Sequence, residues 1–135
     1  MTQEDKELLL RDLCARLPYG IICDDGYGNV LELNGIDNPN TAIFKCSDKT
    51  FGTTDLDKCK PYLFPLSSMT EKQYNEFFTY YHNIEMAEVE ASGDYLKAAY
   101  IGDDAKYSWL NKNHFDYRGL IEKGLAIDAT NLNIY

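Results

Sequence analysis

The sequence predicts an α+β fold: one domain over residues 1–135, a small antiparallel sheet of three to four strands packed by three to four α-helices. Three observations predict it. Apolar residues recur at i, i+3, i+4 and i+7 near the start of the chain and again between Tyr74 and Tyr81, the spacing of one buried helical face. Between residues 20 and 46 the period changes to strict alternation broken by clusters of Gly, Asp, Asn and Pro, the mark of strands joined by tight turns. The last third carries short apolar stretches behind acidic capping residues.

The first helix is expected to begin at a Thr2 cap with Asp5 in the capping-box position, and to bury Leu10, Leu13, Cys14 and Leu17 while Lys6, Glu7, Arg11 and Asp12 face water. Leu17-Pro18-Tyr19-Gly20 ends it, because the residue before a proline is pushed out of helical geometry. Gly20 to Cys23, the turn Asp24 to Asn29, and Val30 to Leu33 read as a hairpin; after a second turn at 35–40, Thr41 to Cys46 returns as a third strand. Residues 47–57 are polar and read as a loop or a short fourth strand. Two prolines bracket Lys60 to Leu66, which is expected as an extended apolar crossing. Ser68 and Glu71 form a capping box for a helix reaching about Glu90. Its Tyr74, Phe77, Phe78 and Tyr81 face is expected to bury against the sheet, so that Phe77→Ala and Phe78→Ala would each cost roughly 3–5 kcal/mol. A helix from Ala105 to Asn111, capped by Asp103 or Asp104 with Tyr107 and Leu110 inward, and another from Tyr117 to Lys123, capped by Asp116 and stopped by Gly124, complete the order. Leu125 to Ile127 is a final apolar stretch, and residues 131–135 read as a frayed tail.

Composition narrows the function classes. The chain carries 22 acidic and 13 basic residues for a net charge of −9. Six acids against one base lie between residues 66 and 95, whereas five and five balance between 96 and 135. No basic patch tracks a phosphate backbone, so direct nucleic-acid binding is disfavoured. No apolar run is long enough to span a bilayer, and the acidic opening MTQEDKELLL is the reverse of a secretory signal. A cytoplasmic chain with no membrane partner is the expectation, its cysteines (Cys14, Cys23, Cys46, Cys59) acting as reduced, small apolar side chains.

No motif calls for a metal or cofactor. Cys-x-x-Cys, His-Glu-x-x-His and Gly-x-Ser-x-Gly patterns are all missing, and Asp24 to Asn29 lacks the terminal Glu of a calcium loop. The densest polar-aromatic stretch runs from Trp109 to Arg118. Trp109, His114, Asp116 and Arg118 there, with Tyr62, are what a nucleotide-like ligand would need for stacking and anion contact. Asp116 as a cap and Phe115 and Tyr117 as core anchors explain the same residues without a ligand. Tyr80 falls off the expected buried stripe and, with Glu88, offers a recognition surface for a protein.

Three blocks, LLLRDLCARLPYG at 8–20, CKPYLFPLSSMTEKQ at 59–73 and WLNKNHFDYRGLIEKGLAID at 109–128, resemble in identity and order a family of small proteins of gut Bacteroidales and their phages and mobile elements. That family has no assigned activity, so the resemblance transfers no catalytic or binding residue. It implies a context, a cytoplasmic accessory protein of a phage or integrated element.

The functional expectation is therefore a non-enzymatic interaction protein that binds a host or phage protein. A small-ligand binder or nucleotide sponge is the alternative, and an acidic DNA mimic with carboxylates along Glu85 to Asp94 is the second.

Overall fold

The computed structural model describes residues 1–46 and 50–135. The three residues of the expected loop after Cys46 lie outside them. Three α-helices and a mixed sheet of seven strands make an α+β architecture among the described residues. The strands are β1 (Ile22–Asp24), β2 (Val30–Asp37), β3 (Thr41–Lys45), β4 (Phe51–Asp55), β5 (Lys60–Pro65), β6 (Phe115–Asp116) and β7 (Ile127–Asp128); the helices are α1 (Gln3–Arg16), α2 (Glu71–Ser92) and α3 (Tyr95–Lys112). The strand order is β4-β3-β2-β1-β5-β6, with β7 also on β5.

The β1 to β4 meander follows the alternation seen in the sequence. Leu33, Ala42 and Phe44 point into the core while Glu32 and Lys45 stay exposed. The Asp25 carboxylate accepts the Tyr27 and Asn29 backbone N–H groups at 2.8 and 3.1 Å and the Asn29 amide at 2.9 Å, which fixes the β1–β2 turn. Gly26 in that turn has φ +87°, and a Cβ there would lie 2.8 Å from the Lys58 carbonyl oxygen. Only glycine fits such a position.

The sheet is larger than the three or four strands expected, and it is not purely antiparallel. The segment between the prolines is β5, the strand that joins the meander to the later part of the chain. It runs antiparallel to β1 and parallel to β6 and β7. Pro61 stands opposite Cys23. Beyond that pair the direct β1–β5 ladder stops, and the Tyr135 hydroxyl takes its place: it accepts the Ile22 N–H at 3.1 Å and donates to the Tyr62 carbonyl at 2.9 Å. The tail is thus pinned rather than frayed. Its ring stacks on His114 at 3.6 Å between centroids, and burial pushes the Tyr135 hydroxyl's pKa up. Tyr135→Phe keeps the ring and removes the bridge, leaving one donor and one acceptor without it; the expected loss is about 1–2 kcal/mol, measured by urea denaturation.

α1 starts where expected, with Thr2 Oγ1 accepting the Asp5 N–H at 3.1 Å. Its buried face, however, lies one residue earlier: Leu9, Asp12, Leu13 and Arg16, again at i, i+3, i+4 and i+7. Cys14 is exposed, and Asp12, expected in water, is fully buried. Leu9 and Leu13 join Ile21, Cys23, Leu33, Phe44, Leu63, Leu120 and Leu125 in one core.

The cap of α2 is Thr70, not Ser68: the Thr70 hydroxyl and the Gln73 side chain exchange bonds with each other's backbone N–H groups at 3.1 and 2.9 Å. Ser68 instead donates to the Pro65 carbonyl in the tight turn that closes β5. α2 runs 22 residues without burying one of them, and it ends at Gly93, where φ is +67°. It does not lie on the sheet. It pairs with α3, which is one 18-residue helix capped by Asp94 where only its last turns were expected. Ala98, Gly102 and Ala105 of α3 are buried on α2, and a Cβ on Gly102 would sit 2.8 Å from a Glu85 carboxylate oxygen. The small side chains let the two helices close into a projecting arm. Phe77 packs on Trp109 at 5.3 Å, Trp109 stacks on Phe115 at 5.8 Å, and Phe115 meets Phe64 at 6.1 Å, so a ladder of rings anchors the arm to β5 and β6.

Phe78 corrects the expected buried face. It is 42% exposed and stacks on its helix neighbour His82, so truncating it cannot cost what a core phenylalanine costs. No helix forms over 117–123 either; a turn does, and the Asp116 carboxylate accepts the N–H groups of Leu120 and Ile121 at 3.0 and 2.9 Å. Gly124 adopts the expected left-handed conformation at φ +73°.

Candidate docking surface

The root of the arm is built on a buried charge cluster. Arg16 donates Nε to Asp12 at 2.9 Å, one turn earlier on α1, and a terminal nitrogen to the Phe115 carbonyl at 2.7 Å. Both side chains are fully buried. Arg118 Nε reaches the other Asp12 oxygen at 3.2 Å, close enough for an ion pair but not aligned as a hydrogen bond. One carboxylate therefore serves two guanidinium groups. Burial pushes the Asp12 pKa above its ordinary value, although both arginines pull it down. Both cations lie against the Tyr117 ring, Arg16 at 5.2 Å and Arg118 at 5.0 Å from its centroid, and the Tyr117 hydroxyl donates to the Asn111 amide oxygen at 2.8 Å. Neither Asp12 nor Arg16 was singled out as a site residue from the sequence, where Asp12 read as part of the solvated side of the first helix. The signal was there in the Asp-x-x-x-Arg spacing, which in this phase shares a face with Leu9 and Leu13.

The expected ligand cleft does not form as one site. Arg118 lines a cleft of 480 Å³ with Ala15, Tyr107, Asn111 and Tyr117. His114 lines a different one of 530 Å³ with Lys112, Asn131 and Tyr135. Trp109 opens onto a third of 360 Å³ with Tyr19, Tyr80 and Lys112. Tyr62 is only 6% exposed and belongs to the core. His114 has φ +64°, a left-handed geometry that turns α3 into β6 and aims its carbonyl at the Phe64 N–H, 2.8 Å away. Burial, with the Arg16 charge nearby, lowers its pKa from 6.5 to about 4, so the imidazole is neutral at pH 7. Asp116 spends its carboxylate on backbone amides, as a capping residue does.

The two candidates on α2 divide. Tyr80 is 44% exposed, as expected of a surface residue. Glu88 faces α3 instead, where it pairs with Lys97 at 3.0 Å. The most exposed large apolar groups lie at the outer end of α3, far from Trp109 at its root and where no recognition residue was expected: Tyr95 is 74% exposed, Leu96 86% and Tyr100 76%. Tyr107, expected inward, is half-exposed and rests on Tyr117 at 5.1 Å between centroids. Leu96, Tyr100, Asp103 and Tyr107 recur at i, i+4, i+7 and i+11, one stripe on the side of α3 turned away from α2. Three consecutive turns of a helix in water gain nothing from such residues.

No described group of His, Cys, Asp and Glu side chains could hold a metal ion, and no helix among the described residues is long and apolar enough to cross a membrane. Comparison with protein-family models, curated proteins and solved structures finds no match to this chain.

Proposed function

We propose that this chain is a non-enzymatic interaction protein that presents its helical arm to a protein partner, and that it serves as a cytoplasmic accessory protein of a phage or mobile element. The observation that carries the docking reading is the exposure of Tyr95, Leu96 and Tyr100 on an arm anchored only at its root. Clustered apolar groups of this size mark interaction surfaces, and tyrosine is enriched at them. The accessory context rests on the three sequence blocks described above. Separation of Trp109, His114 and Arg118 into three clefts takes away the support that one shared pocket would have given a nucleotide sponge. The DNA-mimic reading loses support where Glu88 is paired with Lys97.

Affinity capture from the native host tests the docking reading when wild type is compared with Leu96→Glu/Tyr100→Glu. Both substitutions fall on exposed positions, so the melting temperature is expected to stay within a few degrees. The wild type should retain a stoichiometric partner that the variant releases. A partner held equally by both proteins, or none held by the wild type while control baits work, would refute it.

A further inference from the structure

The stripe on α3 is not uniform in charge, and its polarity points to the chemistry of what it binds. Leu96 and Tyr100 occupy its outer end. Asp103 and Asp104 follow: Asp103 pairs with Lys106 at 3.2 Å and keeps a side chain 66% exposed, while Asp104 is exposed with no ion-pair partner among the described residues. Tyr107 then leads into the 480 Å³ cleft, whose floor carries Arg118. That guanidinium spends Nε on Asp12 and one terminal nitrogen on the Tyr117 hydroxyl. Its second terminal nitrogen has no partner among the described residues and is not buried. Apolar at its outer end, acidic at the middle, and aromatic with a cation beside it at the root, the stripe covers about 17 Å at 1.5 Å per residue, three turns of helix.

The geometry points to an amphipathic helix as the occupant, basic where it crosses Asp103 and Asp104 and acidic where it reaches Arg118. Apolar positions at i, i+4 and i+11, with an acid at i+7, are read by a helix with the same spacing, each side chain fitting between neighbours of the other. The charge order then selects among helices: a uniformly acidic one meets Asp103 and Asp104 with like charge, and a uniformly basic one meets Arg118. A second copy of this chain is a poor occupant, because pairing the stripe with itself would bring the exposed Asp103 and Asp104 of one copy toward those of the other, with only Lys106 beside them in compensation. An anionic membrane is repelled for the same reason. This inference rests on the docking reading above.

Synthetic helical peptides of about 14 residues with a shared apolar seam provide the probe. One has lysines flanking the seam in one half and glutamates in the other; a second is flanked by glutamate throughout, a third by lysine throughout. Fluorescence anisotropy should show the mixed peptide binding the wild type at least about tenfold more tightly than either uniform one, with an advantage that shrinks as salt rises. Asp103→Lys/Asp104→Lys, at exposed positions, should shift the preference to the acidic peptide, and Leu96→Glu/Tyr100→Glu should abolish binding of all three. If the apolar variant loses binding but the charge reversal leaves the preference unchanged, the charge assignment falls and the docking reading stands. Binding of all three peptides unaltered by either variant removes both. Absence of binding to the wild type overturns the inference, as does a wild-type dimer in light scattering that Leu96→Glu dissociates, which would make a second copy the occupant.

Discussion

Asp12→Ala is expected to destabilise the fold by about 3–5 kcal/mol, the loss that follows when one partner of a buried ion pair is removed. The size comes from what stays behind rather than from the attraction that is lost. Arg16 is fully buried and always charged, and without Asp12 it keeps one hydrogen bond, to the Phe115 carbonyl at 2.7 Å, and the Tyr117 ring 5.2 Å away. Arg118 loses its ion-pair partner in the same substitution. Replacing both charges, Asp12→Leu with Arg16→Met, removes the uncompensated cation and should recover part of the loss. Urea midpoints of the two proteins give the comparison. A single variant within about 1 kcal/mol of wild type would mean that water reaches the cluster, contrary to its burial.

Acidification from pH 7 to pH 4 should cost a further 2–3 kcal/mol or so through His114 alone. Its pKa in the folded protein is about 4, against 6.5 for the free side chain. Between those values the unfolded chain binds a proton that the native state refuses, so stability is full above about pH 6.5 and falls as the pH drops toward 4. Asp12 works in the opposite sense, since its raised pKa makes the native state the better proton acceptor in its own range. Comparison with His114→Asn separates the two. Asparagine tolerates the left-handed backbone at φ +64° and cannot titrate. The variant's stability should fall less steeply between pH 6.5 and 4, whatever its absolute value. Parallel profiles for the two proteins would show that His114 is hydrated when folded.

Local patterns made the meander and α1 legible, because alternation, turn residues and a Thr cap act over a few residues. What was not legible depended on distant partners. Pro61 and Pro65 read as breakers, yet Pro61 is accommodated in β5 because Tyr135, far along the chain, bridges the backbone groups beyond it. Tyr74, Phe77, Phe78 and Tyr81 announced an amphipathic helix, but nothing in their spacing distinguishes a sheet from a second helix as the surface they cover. Asp103 or Asp104 read as the cap that starts a helix; both lie instead in the middle of one, beside Gly102, which is a notch for Glu85. Of the candidate site residues, the exposure of Tyr80 was readable, while the convergence of Arg118 with Asp12 and Arg16 was not. Their meeting requires α1 and the turn after β6 to be brought together by the core.

The arm also sets two clocks in one molecule. Because α2 buries no residue and packs chiefly on α3, the amides from Val89 to Gly102 are expected to exchange with solvent through opening of the helix pair alone. Those of β1, β5 and the α1 core must wait for disruption of the sheet. Deuterium uptake would therefore separate into a fast population and a slow one. A ligand on α3 would slow the first and leave the second unchanged, so exchange at the arm reports occupancy without any change in the body.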